Sequence, residues 1–597
     1  MTIKRFKFYF YRLKRSSLAE LRHRLADYLF LKKITIKPNF YKKDLTFDLE
    51  KTANTNLIVP KILSSVSSEV ITQLLHGKEF TLGENAALIQ NFADRWKDSL
   101  FVEVKQKKGD PDIRSVWEPA RLQHLMILLQ HLSADCNAET YELIQHAVQD
   151  KLFEWLARNP FLHGPHYMSM MECGLRIPVF IKAFQNLEHL SDAQRNKLLL
   201  TIFQHGWLVR NRLSLYSSLG NHTVSESLGL IMAGGLFQQS IQGQEWQRTG
   251  IDLLEQECCH QILADGGPAE QSFAYHRFVL DLYWLAIHFL TDNKLHDCSE
   301  MQQRVTLGET FMQTIQHENE SLPMIGDSDD GFAVAPYLFP LRKILPTSNL
   351  PEPFESFTDS GYSLLRDKNG LRVLFDHGIL GMEPLNNHGH ADCLSIFVSV
   401  GDKDFLIDPG TFQYNGDTTL RRYFKSTNAH NTVCIDGRDQ ARQLTSFVWD
   451  HSFTVSCNHR VTDEGQHIVT GTHNGYVLQN LAVSHSRTLT FDPDGILTIE
   501  DSFAGGGNHE YSLHFHLHPL VTVEKEGNCL YLHHDNIVMS LTINADTINL
   551  LRGQQAPFAG WYSPAYGKKE PTTTIQVIKC GFPDNVSFTT TISVIKE

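Results

Sequence analysis

The hydrophobic pattern of this 597-residue chain changes its period once, and that change limits the folds available to it. From about residue 68 to 320 the apolar residues recur three and four positions apart, as in Leu122, Leu125 and Leu129, which predicts amphipathic helices. Beyond residue 357 apolar and polar residues alternate between Gly, Asp and Asn turns, which predicts antiparallel strands. The chain is therefore predicted to be multidomain, with a helical bundle or α/α toroid followed by a β-sandwich.

Composition divides the chain into four predicted segments. Residues 1–50 form a basic N-terminal arm, with one helix from Leu18 to Leu31 that starts at a serine cap. Residues 51–345 form the helical domain, and residues 357–597 form the antiparallel β domain. Between them, residues 346–356 lie in a stretch with three prolines and are predicted to be a linker.

The N-terminal arm carries a charge opposite to that of the whole chain. Its first 43 residues contain thirteen Lys and Arg against Glu20 and Asp27, whereas the chain has a net charge of −13. The arm could contact a membrane surface or a polyanion, but we prefer a basic helix packed on an acidic body. The net charge argues against nucleic-acid binding, although a local basic cleft could still bind an anionic polysaccharide.

The apolar runs, the N-terminal sequence and the cysteines indicate where in the cell the protein is expected. No run of eighteen apolar residues is present, so no membrane span is expected. The N-terminus lacks an uninterrupted apolar region with a cleavage site, so we expect no secretory signal. The ten cysteines are mostly far apart and form no CxxC pair, which favours reduced thiols and a cytoplasmic protein. The oligomeric state is left open.

The stretch from Asn386 to Asn431 contains a candidate metal site. His388 and His390 are two apart at the start of a strand-like run, and on a strand both would point to one face. Asp408 ends an apolar run before a Pro-Gly turn, and His430 precedes another predicted strand. Imidazoles and a carboxylate on adjacent strand ends predict a divalent-metal site. The alternative is that these are unrelated polar residues at turns, in a chain with thirty histidines.

Three strings in this stretch share their order with a known family. HGHAD, then DPGT, then RRYFKSTNAHNTV resemble the C-terminal domain of the heparinase II/III-like polysaccharide lyases, and the resemblance covers roughly residues 110 to 597. It implies an incomplete α/α toroid followed by an antiparallel β-sandwich. It also implies cleavage of uronic-acid polysaccharide by β-elimination, which leaves 4,5-unsaturated uronate ends.

Two helical strings resemble the catalytic segments of this family. Asn221 and His222 open a predicted helix, whose N-terminal end favours anions; a plain N-cap is the alternative for Asn221. The resemblance assigns Asn221, helped by His222, to the uronate carboxylate. It assigns Tyr275 in DGGPAEQSFAYHR as the acid, and as the base in syn geometry, where a half-buried aromatic is the alternative. It makes His388 a second base that faces the other side of the sugar ring.

The resemblance also implies metal ligands and substrate contacts. His390, Asp408 and His430 would hold one divalent ion with a mainly structural role, zinc first, with manganese or calcium as alternatives. Glu172 and Arg176 are four apart on one helix face and are predicted to form a pair. The residues predicted to bind substrate are Tyr167, Glu172, Arg176, Glu226, His276, Arg277, Arg422 and Tyr423. The acidic string GDSDDG at 326–331 is interpreted as structural.

These motifs predict a polysaccharide lyase for a glycosaminoglycan-like, alginate-like or bacterial capsular or exopolysaccharide substrate. One alternative is a narrow-specificity enzyme that processes exopolysaccharide by the same chemistry. A second is a non-catalytic protein that binds or assembles polysaccharide. A third is an inverting hydrolase with Glu172 and Glu226 as its paired carboxylates.

Overall fold

A computed structural model describes residues 16–77, 85–132, 136–216, 219–317, 319–342 and 352–595. Within these ranges the contacts form two compact units. The first contains residues 16–261, 278–305 and 331–342, and the second contains residues 262–277, 306–330 and 352–595. The sequence prediction gave residues 51–345 to one domain, whereas two stretches of that segment belong to the second unit. Periodicity reports local structure only, so it does not reveal which distant residues a helix contacts.

The helices follow the predicted pattern. Their bounds are α1 (Leu18–Ile36), α2 (Leu49–Thr52), α3 (Ser68–Leu75), α4 (Ala86–Trp96), α5 (Ile113–Trp117), α6 (Gln123–Leu132), α7 (Ala138–Arg158), α8 (Met170–Asn186), α9 (Asp192–Asn211), α10 (Asn221–Leu236), α11 (Ile241–Gln261), α12 (Phe273–Asp292), α13 (Ser299–Ile315), α14 (Thr418–Phe424) and α15 (Gly475–Leu478). The chain passes from one unit to the other within α12 and again within α13. No helix in the described ranges is long and apolar enough to cross a membrane.

Local chemistry sets where these helices begin. The hydroxyl of Ser17 accepts a hydrogen bond from the Glu20 amide, which is the predicted cap of α1. Helix α1 continues to Ile36, five residues beyond its predicted end. Ser191 and Gln194 form a capping box at the start of α9. Residues 1–15 of the predicted arm lie outside the described residues.

The strands of the first unit are β1 (Ile62–Ser64) and β2 (Leu338–Pro340), which pair with each other. The second unit is built from antiparallel sheets. Its strands are β3 (Phe354–Phe357), β4 (Tyr362–Arg366), β5 (Leu371–Asp376), β6 (Ile396–Val400), β7 (Lys403–Leu406), β8 (Val433–Ile435), β9 (Val455–Val461), β10 (His467–His473), β11 (Val483–Phe491), β12 (Leu497–Gly505), β13 (His509–His516), β14 (Thr522–Glu526), β15 (Cys529–His534), β16 (Ile537–Ile543), β17 (Asn549–Arg552), β18 (Gln554–Gln555), β19 (Phe558–Ala559), β20 (Trp561–Ala565), β21 (Lys568–Pro571), β22 (Thr573–Gly581) and β23 (Ser587–Ile595).

Three larger sheets share one hydrophobic core. Their strand orders are β3-β4-β5-β6-β7, β17-β22-β13-β8 and β14-β15-β16-β23-β12-β11-β10-β9. Buried and half-buried residues alternate along β11, as expected for a strand with one face in the core. Val373, Leu513 and Leu541, one from each sheet, belong to the same buried cluster. Strand β3 begins at Phe354, inside the predicted linker 346–356, whose residues 346–351 lie outside the described ranges.

Candidate active site and metal cluster

Tyr275 lies in the first turn of α12, where a hydrogen-bonded loop fixes its position. The hydroxyl of Ser272 accepts from the Tyr275 amide (3.2 Å) and donates to the carbonyl oxygen of Asp327 (2.6 Å). Gly326, with φ of +67°, begins this loop, and a Cβ there would lie 2.1 Å from the carbonyl oxygen of Gln271. The GDSDDG string can therefore approach the start of α12 only because its first residue has no side chain.

The second unit brings His388 onto Tyr275. The two rings stack with centroids 3.9 Å apart and planes inclined by 25°. Tyr275 retains 9% and His388 7% of their exposure, so both are largely buried at the edge of the cluster. No sugar ring fits between two rings at this distance, so the prediction that His388 faces the other side of the sugar is wrong for this conformation. The two side chains can approach a substrate only from the same side.

The prediction that His388 and His390 lie on a strand is also wrong. Both residues are in irregular backbone, and strand β6 begins only at Ile396. Gly389, between the two histidines, packs against backbone so closely that a Cβ would lie 1.7 Å from the carbonyl oxygen of Leu380. Close backbone packing, and not the alternation of a strand, therefore directs the two imidazoles.

The carboxylate of Asp327 links these histidines. Its Oδ2 lies 3.0 Å from Nδ1 of His388, and its Oδ1 lies 3.0 Å from Nε2 of His390. Nη2 of Arg421 donates to Oδ2 (2.7 Å). Burial alone would raise the pKa of Asp327, but Arg421 and Lys425 hold it well below its usual range. An ionised carboxylate only accepts hydrogen bonds, so both histidines donate to Asp327 and their tautomers are fixed.

The fixed tautomer leaves His388 with a basic nitrogen. Because Nδ1 donates to Asp327, Nε2 carries the lone pair. Nε2 lies 3.6 Å from Oε2 of Glu270, which precedes Tyr275 in the chain. The arrangement of a carboxylate behind an imidazole is one that suits a general base.

Tyr275 takes part in a chain of hydrogen bonds. Its hydroxyl donates to Oδ2 of Asp329 (3.0 Å) and lies 3.0 Å from the hydroxyl of Tyr414. Burial and Asp329 raise the pKa of Tyr414 well above its usual value, so Tyr414 keeps its proton. Since the Tyr275 hydroxyl donates its hydrogen bond to Asp329, Tyr414 can donate a hydrogen bond to the oxygen of Tyr275. The backbone amide of Tyr414 is held by the hydroxyl of Tyr566 (2.8 Å).

A second cluster shares His390 with this network. Ligand atoms of His390, Asp392, Asp408 and His430 lie within 4.8 Å of one another, and all four residues are buried. Three of them are the predicted metal ligands, and Asp392, from the HGHAD string, is an addition. Two imidazoles with two carboxylates form a donor set that suits zinc, with other divalent ions possible.

Outer hydrogen bonds direct the lone pairs of both histidines to one point. Nδ1 of His430 donates to the carbonyl oxygen of Ser426 (2.7 Å), which leaves the lone pair on Nε2. Nε2 of His390 donates to Asp327, which leaves the lone pair on Nδ1. Nδ1 of His390 and Nε2 of His430 lie 3.2 Å apart, and Oδ2 of Asp408 is 3.4 Å from Nε2 of His430. Acceptors that converge in this way fit a bound cation.

The charges of the cluster favour the same conclusion. Burial lowers the pKa of His390 to about 4 and that of His430 well below its usual value, so both imidazoles are neutral, as metal ligands must be. Burial raises the pKa of Asp392 to about 7, and burial with Asp392 raises that of Asp408. A divalent cation would offset the repulsion between these buried carboxylates.

Asn431 supports this cluster from the residue after His430. Its amide donates to the carbonyl oxygens of Ile396 (2.7 Å) and Ile407 (2.9 Å), and its Oδ1 accepts from the His516 amide. Ile407 directly precedes Asp408. The Asn431 side chain therefore ties the backbone that follows His430 to the backbone that precedes Asp408.

Asn221 and His222 open α10 in the first unit, as predicted. The N-cap is Gly220 and not Asn221, which lies inside the first turn. Asn221 is buried and His222 is half-buried. Their predicted roles toward the uronate carboxylate stay predictions.

Glu172 and Arg176 do not form the predicted pair. Both oxygens of Glu172 accept from Arg121 (2.7 and 2.8 Å), while Arg176 donates to His205 and to the carbonyl oxygen of His166. Both side chains are fully buried inside the helical unit, so each has a stronger partner in another element than in its own helix. A substrate contact would require them to leave these partners, and that role stays a prediction.

Tyr167 and Glu226 are buried in the same unit. Tyr167 packs against Phe161 and His205 and donates to the carbonyl oxygen of Asn159 (3.2 Å). Glu226 accepts from the amide of Ser214 (2.8 Å) and from its hydroxyl (2.5 Å). Their predicted contacts with substrate likewise stay predictions.

His276 and Arg277 follow Tyr275 on the helix and therefore point elsewhere. Nε2 of His276 bonds the carbonyl oxygen of Gly266 (2.9 Å), and burial lowers its pKa to about 3. Arg277 donates to Glu309 (3.3 Å) and Gln316 (3.2 Å).

Arg422 and Tyr423 line a surface cleft of about 560 Å³ in the second unit. Arg438 and Arg442 line the same cleft, so it carries three guanidinium groups. Tyr423 is buried in its wall, and its hydroxyl accepts from the amide of Trp561 (3.4 Å). The neighbouring Arg421 donates to Asp327 instead. Helix α14 therefore supplies one arginine to the cleft and the adjacent one to the Asp327 network.

The sequence analysis missed five residues of the two clusters: Asp327, Asp329, Asp392, Tyr414 and Arg421. Asp327 and Asp329 belong to GDSDDG, which was interpreted as structural although it holds three acids in a glycine-bounded loop. Asp392 lies two residues after a predicted ligand. Tyr414 had no local signal, because its role depends on contact with a residue 139 positions away.

Comparisons with known proteins agree with this architecture. The heparinase II/III N-terminus model matches residues 133–341, and the heparinase II/III-like C-terminal model matches residues 349–594. A heparin-sulfate lyase of Pedobacter heparinus is 24% identical over 56% of this chain and 52% of its own length. One of Bacteroides stercoris is 21% identical over 64% and 59%. The chain thus spans little more than half the length of these curated relatives.

A solved structure titled heparinase III shares the fold. Its TM-score is 0.67 at 14% identity, over 94% of this chain and 91% of that chain. The predicted fold class, an incomplete α/α toroid followed by an antiparallel β-sandwich, is confirmed.

Proposed function

We propose that this chain, which belongs to the heparinase II/III-like family, is a lyase that cleaves uronic-acid polysaccharide by β-elimination. The observation that carries the proposal is the contact of Tyr275 with His388, whose rings stack with centroids 3.9 Å apart. Each of these two groups can transfer a proton, and each is hydrogen-bonded to a carboxylate. Relatives named heparin-sulfate lyase make a heparan-sulfate-like glycosaminoglycan the first substrate to test.

The chemistry requires one proton to leave carbon and another to reach oxygen. The C5 proton of a uronate is weakly acidic, so its removal needs the adjacent carboxylate to be neutralised. A base then takes the C5 proton while an acid protonates the leaving oxygen at C4. The electron pair of the C5–H bond forms the C4–C5 double bond, and the pair of the C4–O bond leaves with the oxygen, which takes the proton of the acid.

In our proposal His388 is the base and Tyr275 the acid. Asp327 accepts from Nδ1 of His388, so Nε2 carries the lone pair that receives the C5 proton. Tyr275 gives its proton to the leaving oxygen, and the hydrogen bond from Tyr414 stabilises the phenolate that results. Asp329 holds the Tyr275 hydroxyl before the transfer.

Asn221 and His222 are proposed to neutralise the uronate carboxylate. Both lie in the first turn of α10, where the amides of a helix N-terminus and the helix dipole favour an anion. The amide of Asn221 can donate to a carboxylate without adding a charge. The cleft that Arg422 lines is proposed to bind a further anionic part of the polysaccharide.

A divalent ion is proposed for His390, Asp392, Asp408 and His430. When bound, the ion supplies a structural crosslink that holds the segment carrying His388. Its ligand His390 shares Asp327 with His388, so order in the metal cluster determines the orientation of the base. Zinc is the first candidate because of the mixed nitrogen and carboxylate ligands.

A hydrolase with Glu172 and Glu226 receives no support, because both carboxylates are buried and bonded to other residues. Alginate-like and capsular polymers remain possible substrates. The test is a panel of heparan sulfate, heparin, chondroitin sulfate, hyaluronan, alginate and capsular polymers, followed by ultraviolet absorbance and by reducing-end yield. We expect both signals to rise together on a uronate polymer. New reducing ends without ultraviolet absorbance, or no cleavage of any polymer, would contradict the proposal.

A further inference from the structure

Helix α1 is apolar on two opposite faces. On the inner face Ile34 is fully buried, and Phe30 packs against Phe40 and Trp207 with ring centroids 5.5 and 5.3 Å apart. These contacts attach the helix to the first unit. They account for only one side of it.

The outer face carries a continuous apolar stripe. Its members recur three, four and seven positions apart, which places them along one side of the helix. This outer stripe consists of Leu18 (75% exposed), Leu21 (36%), Leu25 (58%), Tyr28 (56%), Leu29 (57%) and Ile36 (84%). Six large apolar side chains exposed together on one helix form a patch of the kind that marks an interaction surface.

Positive charge borders the outer stripe. Arg22 and Lys32 lie beside it on the helix and are exposed, whereas the Lys33 ammonium lies over the Phe40 ring of the inner face, 4.1 Å from its centroid. The ion pair that joins α1 to the body has the reverse polarity, since Asp27 of the helix accepts from Arg212 of the body (2.9 Å). At this contact the acidic residue therefore belongs to the helix and the basic residue to the body, and the expected basic helix on an acidic body stays a prediction. Arg22 and Lys32 are exposed, where they can meet an external anion.

The sequence before the helix has the same character. Residues 1–15 contain six Lys and Arg, five Phe and Tyr, and no acidic residue. They lie outside the described residues, so only their composition enters the argument. Cations and aromatic residues therefore directly precede the helix in the sequence.

We propose that the outer stripe docks this protein on the surface of an anionic lipid bilayer. In this position the helix lies in the membrane interface, its leucines enter the acyl boundary, and the flanking cations contact lipid phosphates and carboxylates. A polysaccharide offers no apolar region for six such side chains. A two-fold contact with a second copy would place the cations of one stripe against those of the other. The inference is independent of the proposed catalytic function.

Vesicle flotation of the full chain tests this surface. Vesicles of phosphatidylcholine, with and without phosphatidylserine, are the probe. We expect the protein to float with the phosphatidylserine vesicles, to bind phosphatidylcholine alone much more weakly, and to be released by high salt. The double variant Leu25→Asp/Leu29→Asp should bind at least about tenfold less, with unchanged thermal unfolding.

Two further variants complete the design. Ile241→Asp is the matched control, because Ile241 is 82% exposed but lies at the start of α11, and it should bind as the wild type does. Arg22→Glu/Lys32→Glu keeps the leucines and should weaken binding to phosphatidylserine vesicles. Equal binding of wild type and the leucine double variant would overturn the proposal and assign attachment to residues 1–15. Absence of binding, equal binding to neutral vesicles, or a dimer that the double variant dissociates would also overturn it.

Discussion

The imidazole of His388 stacks on the phenol of Tyr275, with ring centroids 3.9 Å apart, although 113 positions separate the two residues in the chain. Each ring has its own carboxylate partner, Asp327 for His388 and Asp329 for Tyr275. Both carboxylates belong to the GDSDDG loop, so one short segment orients both groups. Because each ring has its own carboxylate partner, the proposed acid and the proposed base can be tested by separate substitutions.

Replacing Tyr275 by Phe removes one oxygen and keeps the ring that stacks on His388. We expect kcat to fall by roughly 10²- to 10⁴-fold, the effect of losing a general acid or base, with little change in thermal unfolding. Steady-state kinetics with scanning calorimetry would measure this. Tyr283→Phe is the matched control, because Tyr283 is buried on the same helix and donates to the Leu254 carbonyl oxygen. A Tyr275→Phe enzyme with more than about a tenth of the wild-type rate would remove Tyr275 from the mechanism.

Replacing Tyr414 by Phe tests the hydrogen bond to the Tyr275 oxygen. We expect kcat to fall by about 10- to 100-fold, the value of one hydrogen bond to a charged group, which is less than the loss for Tyr275→Phe. The double variant with Tyr275→Phe should be no slower than Tyr275→Phe alone, because the Tyr414 hydroxyl acts through Tyr275. Additive losses in this cycle would mean that Tyr414 acts independently.

Substitutions of His388 and of His390 are predicted to affect activity and metal content differently. His388→Ala should lose activity and retain the ion, whereas His390→Ala should lose the ion and lower the melting temperature as well. Elemental analysis of gently purified protein, with activity assays, measures both. Asp327→Asn should weaken metal binding by about 10- to 100-fold, because the carboxylate orients a ligand without binding the ion. Release of the ion by His388→Ala would show that the two roles are assigned to the wrong residues.

Glu226 gives a prediction on stability and pH. Burial raises its pKa to about 8, against the lowering effect of the two hydrogen bonds from Ser214. Between its usual value near 4.5 and about 8, the folded protein keeps the proton that the unfolded chain releases, so the free energy of unfolding falls as pH rises. Each pKa unit is worth about 1.4 kcal/mol.

The variant Glu226→Gln stays neutral and should lose less of its free energy of unfolding across this window than the wild type. Denaturant titrations at several pH values measure the two slopes. Parallel curves for wild type and variant would mean that the donors from Ser214 keep Glu226 ionised.

The sequence predicted the helical and strand regions because periodicity is a local property. It also led to Tyr275, His388 and three candidate metal ligands, because the family strings lie around them. The structure brings Tyr275 against His388 and gathers the candidate ligands, and their roles stay predictions. It did not predict the arrangement of His388 and His390, which depends on Gly389 against a distant carbonyl group. The predicted pairing of Glu172 with Arg176 was wrong for a related reason, since their observed partners, Arg121 and His205, belong to other elements. Contacts between distant segments carry no local signal.

The source of the oxygen in the products tests the central claim most directly. The cleavable polysaccharide is digested in water enriched in heavy oxygen, and the oligosaccharides are weighed by mass spectrometry. β-Elimination by Tyr275 and His388 adds no water, so we predict products whose summed mass equals that of the substrate, after correction for the exchange of reducing-end oxygen measured on a standard oligosaccharide in the same water. Heavy oxygen at the newly formed ends, with the mass of one added water for each cut, would contradict the account and identify a hydrolase.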